Sequence, residues 1–366
     1  MAALYIDGLS APTEIKNALK ELSKNFVFTK EVEKGANGYL FFGDNRILGT
    51  KVAVKFYYWG GDKEYHAEPQ NFATIESDNI LAILDASLID NDWAYFVTPY
   101  CPNGDLDNYI DATQFGNLAA IDFVSEVLSG LSHLHAESFL HRDLKPANIY
   151  LNDAEQAVIG DFGSLKAVPE GKDEIPASSH SILYRPPESI LHNTFSGKGD
   201  IYQVGIVFYQ LLGGYLPYDE LAWMSKRELK HYNGLTGNID RSIYVDQCIK
   251  SSITKGKIID LKTLPPWVPE LIKRVIRRST NVNPDKRYQN ATEFRADLHK
   301  VRPNVLDWAV CDGVPTLSAK TSYRIESTEK GHQVFKRKTG AWQKVNAIKS
   351  DVLSEVVNEI EVKAKA

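Results

Sequence analysis

Between residues 26 and 100 the apolar positions fall in short runs, "FVFTKEV", "YLFFG", "KVAVKFYYW", "ILAILDASLI" and "WAYFVTPY". Runs of this length, rich in β-branched and aromatic residues and bounded by turn formers, predict strands, and together they predict a small, mostly antiparallel unit. One helical piece interrupts them around residues 62–76. Ahead of them, "APTEIKNALKELSKNF" places Ile15, Leu19 and Leu22 on one helical face, which predicts a short amphipathic helix docked on the body. After the turn signal "PNGD" at 102–105 the pattern becomes helical, in "AAIDFVSEVLSGLSHLHAES", "GDIYQVGIVFYQLLGG", "VPELIKRVIRRS" and "NATEFRADLHKV". Beyond residue 303 it changes again, to three expected strands in "TSYRIES", "HQVFKRKT" and "AWQKVNAI" and a closing helix in "SDVLSEVVNEIEVKA". The expected organisation is a helical extension over 1–25, a β-rich unit over 26–101, a larger α-rich unit over 102–302 and a small α/β accessory module over 303–366.

Composition changes this picture little. With 366 residues, 43% hydrophobic and 24% charged, the chain has the make-up of a soluble globular protein with a large core. A net charge of −5 spread along the sequence argues against a general polyanion binder. The cysteines Cys101, Cys248 and Cys311 are odd in number and far apart, unlike a disulfide framework or a zinc site, so a reducing cytoplasm is the expected home. "MAALYIDGLS" lacks the basic-then-apolar order of a secretory signal. "IYQVGIVFYQLLGGYLPY", the longest apolar stretch, contains two Gln, a Gly pair and a Pro and reads as a buried helix, so no membrane partner is expected. Near the C-terminus, Phe335 and Trp342 stand among Lys336, Arg337, Lys338 and Lys344. Aromatics that stack and cations that pair with phosphates suit nucleic acid. A small core with a solvated basic face is the commoner source of such a mixture, so the expectation is a docking or regulatory appendage rather than a nucleic-acid site.

The stretch "FLHRDLKPANIYL", 139–151, sets Arg142 and Asp143 in a run that is otherwise largely apolar, and "VIGDFGSL" follows at 158–165. One buried Asp would read as a turn cap. Two carboxylates, Asp143 and Asp161, with Asn148 between them form a more specific constellation. Taken together, "HRDLKPAN" and "DFG" resemble the protein-kinase superfamily over roughly residues 26–300. The resemblance implies an α+β, bilobal fold, and transfer of the γ-phosphoryl of Mg²⁺-ATP to Ser or Thr of a protein substrate. Asp143 would then accept or orient the proton of the substrate hydroxyl, and Asn148 and Asp161 would supply the hard oxygen ligands that Mg²⁺ prefers. Lys145 would reach a γ-phosphoryl oxygen; in this family a Lys there points to Ser/Thr substrates.

The same resemblance assigns the nucleotide pocket. In "EKGANGYL", 33–40, Gly35 and Gly38 match two glycines of the phosphate-covering loop, Leu40 stands where the family has Val, and Glu33 replaces the first glycine. In the following "VAVK", Ala53 would roof the adenine and Lys55 would hold the α and β phosphates. Glu68 is expected to pair with Lys55, and Glu64 is the alternative because Pro69 disturbs a helix at that point. In "TPYCPNGD", Thr98 would set the depth of the pocket, Tyr100 and Cys101 would offer backbone groups to the base, and Asp105 would bond a ribose hydroxyl or cap a helix. Tyr150 would form the pocket floor, where many relatives carry Leu.

In "SILYRPPES", 181–189, Glu188 would pair with Arg287, and Asp200 would hold the catalytic loop from below. Ser181 falls where the family bonds a hydroxyl to the catalytic Asp and Lys. Phosphorylation of Ser178 or Ser179, engaging Arg142, is the expected control. A nucleotide-binding pseudokinase scaffold is the rival reading, on the strength of Glu33 and Pro69. Because every catalytic motif precedes residue 300, removal of residues 305–366 is expected to leave some activity.

Overall fold

A computed structural model describes residues 3–32, 38–58, 75–90, 92–112, 115–177, 181–329, 331–348 and 350–365. Helix α1 (Thr13–Leu22) buries Ile15, Leu19 and Leu22, spaced four and three residues apart, so they form one stripe. That stripe lies on an antiparallel sheet of β1 (Phe26–Val32), β2 (Gly38–Asn45), β3 (Lys51–Tyr58), β4 (Asp85–Leu88) and β5 (Trp93–Pro99), in the order β1-β2-β3-β5-β4. Alternation along β3 sorts its side chains between two faces. Val52, Val54 and Phe56 join Phe28, Phe41 and Val97 in a core under α1. The opposite face carries Ala53 and Lys55, with Leu40 and Phe42 paired to them from β2 and Phe96 and Thr98 from β5. One face is thus spent on stability and the other is available to a ligand.

The run "ILAIL" does not become strand. Ile80 makes an isolated parallel bridge to Ile159, and the Leu81 amide donates to the Ile159 carbonyl at 2.8 Å. These apolar residues tie the sheet unit to the larger one, and β4 begins only at Asp85.

The larger unit is built on helices α2 (Leu106–Ala112), α3 (Asn117–Ala136), α4 (Pro187–Leu191), α5 (Gly197–Leu211), α6 (Lys226–Gly234), α7 (Asn238–Thr254), α8 (Glu270–Ser279) and α9 (Ala291–Val301). Every residue of α5 from Gly199 to Leu211 is buried, as an all-round apolar helix requires. Short antiparallel pairs decorate this core: β6 (Phe139–Leu140) with β9 (Lys166–Ala167), β7 (Ile149–Leu151) with β8 (Ala157–Ile159), and β10 (Ile175–Pro176) with β11 (Thr194–Phe195). Among the described residues no helix is long and apolar enough to cross a membrane.

The C-terminal segment holds five strands rather than three: β12 (Asp307–Cys311), β13 (Val314–Ser318), β14 (Ser322–Thr328), β15 (Gly331–Arg337) and β16 (Gln343–Val345), a simple antiparallel meander followed by α10 (Leu353–Lys365). The added pair is joined by Asp312 and Gly313, both at positive φ (51° and 75°), the left-handed conformation that an Asp-Gly two-residue hairpin requires. This module shares one continuous core with the large unit. Trp308 is wholly buried, stacks on Trp267 with centroids 6.0 Å apart, and donates its indole N–H to Glu361 of α10 at 3.1 Å. The Asn117 amide joins the same contact, donating to the carbonyls of Trp267 and Leu306.

Candidate active site

The loop His141–Asn148 is shaped from beneath by α5. Asp200, fully buried, accepts from the backbone N–H of His141 (3.1 Å) and of Arg142 (2.8 Å) and contacts His135 Nε2 at 2.8 Å. One turn later Gln203 accepts from the Leu144 amide at 2.9 Å and donates to the Arg142 carbonyl at 3.1 Å. Four backbone groups around Asp143 are thereby fixed by two side chains of a rigid helix. Arg142 adopts φ 71°, a conformation that such surrounding bonds must hold in place. Asp200 is legible in the sequence; Gln203, a neutral residue within an apolar helix, is not singled out by any pattern.

Asp143 is nearly buried. Its Oδ2 accepts from Lys145 Nζ at 2.8 Å and from Asn148 Nδ2 at 3.0 Å, while Oδ1 is buried with no hydrogen-bond partner among the described residues. An orphaned carboxylate oxygen is costly unless something else binds it, which suits an atom reserved for a substrate proton. Lys145 also donates to Ser181 Oγ at 2.6 Å, linking the His141–Asn148 loop to the segment before α4. The Asn148 amide also bonds the Asp143 carbonyl, at 2.7 Å, so its nitrogen is committed and its side-chain oxygen remains for a cation.

Asp161 follows β8 in the left-handed conformation (φ 56°), and its carboxylate forms an ion pair with Lys55 of β3. Burial pushes this carboxyl up. The charge and hydrogen bond of Lys55 outweigh that effect, His141 and Lys145 add to them, and the group is held below the usual carboxylate value. Phe162 is buried beside it, edge-on to Phe96 with centroids 6.0 Å apart.

Leu40, Ala53, Lys55, Thr98, Tyr100, Cys101, Asp105, Tyr150 and Asp161 all line one cavity of about 230 Å³ between the sheet and the helical unit. Phe42, Leu81 and Phe96 line it too, contacts that come from strand register and from the docked "ILAIL" run. Burial, together with the charge of Asp153, pushes the Cys101 thiol up to about 11, so it is a wall rather than a nucleophile. Asp105 caps α2 by accepting from the Asn108 backbone N–H at 3.1 Å and from its side-chain amide at 2.7 Å. The Tyr150 ring lies against Gly160, where a Cβ would stand 2.8 Å from a ring carbon. Burial raises its phenol far above the usual value, and the charges of Asp161 and Asp105 act in the same direction.

Gly38 does not line the cavity. It stands opposite Tyr57, and a Cβ there would collide with the Phe56 carbonyl, so close strand approach alone demands glycine. Gly35, Glu33, Glu64, Glu68, Pro69, Ser178 and Ser179 lie outside the described residues. A second cavity, of about 320 Å³, adjoins Lys145 and is walled by Ser181, Tyr184, Asp107 and Tyr218. The Tyr218 hydroxyl donates to Asp107 at 2.8 Å. Below it, Arg287 makes a two-pronged pair with Glu188 at 2.8 and 2.7 Å, stacks over Tyr202 and is wholly buried.

Proteins similar to this chain are numerous. The serine/threonine-protein kinase PrkC of Bacillus subtilis is 26% identical over 289 residues, 76% of this chain and 41% of that protein. A probable serine/threonine-protein kinase, PknB of Lactococcus lactis, is 25% identical over 288 residues, 76% of this chain and 45% of that protein. The RAF proto-oncogene serine/threonine-protein kinase of Xenopus laevis is 31% identical over 216 residues, 57% of this chain and 30% of that protein. The chain thus spans less than half the length of these relatives. Residues 26–297 match the protein kinase domain as a family, and on that match the chain belongs to the protein kinases.

Proposed function

We propose that this chain is a Ser/Thr protein kinase that transfers the γ-phosphoryl of ATP to a hydroxyl of a protein substrate. The observation that carries the reading is Asp143: one oxygen is held by Lys145 and Asn148, the other is buried with no hydrogen-bond partner among the described residues, and Lys145 lines an adjoining cavity. In this reading the nucleotide occupies the 230 Å³ cavity, with Ala53 and Tyr150 above and below the base and Lys55 on the α and β phosphates. The substrate hydroxyl approaches from the Lys145 side and gives its proton toward Asp143 Oδ1, an effect of about 10²–10⁴-fold in rate for a well-placed base. Lys145 then faces the charge that develops on the transferred group, and Ser181 fixes its ammonium.

The donors present fit Mg²⁺. Asn148 offers a side-chain oxygen and Asp161 a carboxylate kept ionised, both hard ligands. Bound there with the phosphates, Mg²⁺ would neutralise charge on the β and γ oxygens. Lys55 and Asp161 are paired directly in this structure, so phosphates entering the cavity would compete for the same ammonium.

Control through the segment before α4 is part of the proposal. Arg142 Nη2 donates to the Pro176 carbonyl at 3.0 Å, which brings this cation to the chain two residues before Ser178. Phosphate on Ser178 or Ser179, placed there by the chain itself or by another kinase, would be engaged by Arg142. We read the cytoplasm, where ATP and reduced thiols are found, as the place of action. Mass-spectrometric mapping of the purified protein after incubation with Mg²⁺-ATP and a generic Ser/Thr-containing protein tests the proposal. Phosphoserine or phosphothreonine is expected on substrate and on the 164–184 segment. Phosphorylation of a small molecule but of no polypeptide would overturn it.

A further inference from the structure

Residues 320–349 contain eight Lys or Arg and two Glu, a net of +6 in a chain totalling −5, so the remainder carries −11. The C-terminal sheet places part of this excess on one face, and Lys336 and Lys338 flank it. Arg324 of β14 stands opposite Phe335 of β15, which stands opposite Lys344 of β16. Directly opposed residues share a face, so these three lie on the side away from Tyr323, Ile325 and Val334, which are in the core. The Arg324 guanidinium is 5.0 Å from the Phe335 ring centroid and 4.9 Å from that of Trp342, and Arg337 stands 4.5 Å from Trp342. Arg324 is neutralised by Glu326 at 2.7 Å. Exposed Lys336, Arg337, Lys338 and Lys344 have no ion-pair partner among the described residues.

Gathering like charges costs a folded chain free energy and contributes nothing to its core. Stacking uses the flat face of a guanidinium and leaves its edge N–H donors available, in the fork that matches a carboxylate. We propose that this face docks an acidic segment of a protein partner, its carboxylates received by Arg337 and Lys344 on the sheet and by exposed Lys338 just beyond the end of β15. Two observations favour an acidic peptide over nucleic acid. Trp342 and Phe335 already carry guanidinium groups, which occupy ring surface that bases would stack on. A long polyanion would also meet the −11 of the rest of the chain, whereas a short segment is attracted within about 8 Å, one Debye length at physiological salt.

Fluorescence anisotropy of the full chain with a labelled polyglutamate peptide tests this directly, with a thymidine oligonucleotide of equal length as comparison. Binding of the peptide should weaken with added salt and fall roughly tenfold or more in Arg337→Glu/Lys344→Glu, because two attractions become repulsions. Arg337→Lys/Lys344→Arg, which keeps the charge but moves the guanidinium, should lose far less binding than the charge reversal does. If loss of the Arg337 stack impairs folding, Lys338→Glu/Lys344→Glu serves instead, since neither of those side chains stacks. Absent peptide binding, or peptide binding unchanged by charge reversal, overturns the proposal. So does tighter binding of the oligonucleotide that the same reversal abolishes, which would make this a nucleic-acid surface. The measurement involves no phosphoryl transfer, so its outcome is separate from that of the kinase reading.

Discussion

Gly160 and Tyr150 constrain each other, because a methyl group at 160 would press into the Tyr150 ring that lines the 230 Å³ cavity. Gly160→Ala should therefore weaken ATP binding, and Gly160→Ala/Tyr150→Leu should recover much of it; calorimetric titration with ATP checks both. An unaffected single variant would mean that the ring moves freely. Asp161 supplies a second test. Its folded-state pKa lies below its unfolded one, so the stabilisation it brings is fully present above about pH 4, the ordinary carboxylate value, and is lost as pH falls through the depressed value. In Lys55→Met the largest opposing effect is gone and burial dominates, so the Asp161 carboxyl should titrate at higher pH than in the unaltered protein. Carbon-detected NMR of the Asp carboxyls reads this shift, and an unmoved Asp161 would contradict the ion pair. Asp143, Asn148 and Asp161 are legible in the sequence as candidates because the spacing of their short motifs is local. Leu81 and Gln203 are not, since one reaches its place through a bridge to Ile159 and the other through burial in α5.

Elements were legible where period and length agreed. The stripe of α1 and the alternation of β3 follow directly from the order of apolar residues. The "ILAIL" run fails because an apolar run records burial without saying what buries it, and here the large unit does so. The β12–β13 hairpin was missed although Asp312-Gly313 between two alternating runs is a local signal for it. The pair between Glu188 at the head of α4 and Arg287 before α9 joins elements 99 residues apart. Arg287→Ala would strand a buried carboxylate, so it should cost about 3–5 kcal/mol. Chemical denaturation should show a lower midpoint with an unchanged slope; a variant as stable as the parent would show that solvent reaches Glu188.

At the scale of the whole molecule, the continuous core alters what truncation should do. Removing residues 305–366 would expose Trp267, deprive Asn117 of the Leu306 carbonyl and remove Trp308 from the interior. Loss of a buried aromatic of this size alone costs about 3–5 kcal/mol. The truncated chain should therefore be poorly soluble or markedly less stable by thermal denaturation, even though every catalytic motif precedes residue 300. A soluble truncation with unchanged melting would show that the module is separable. If Asp143 serves transfer and the cavity lined by Lys55 and Asp161 serves the nucleotide, substitution at Asp143 separates the two. The most direct test compares the unaltered protein with Asp143→Asn, measuring Mg²⁺-ATP affinity and the rate of ³²P transfer to protein in parallel. Near-equal affinity with transfer reduced by roughly a hundredfold or more is the predicted result; transfer at the unaltered rate, or affinity and transfer lost together, would contradict it.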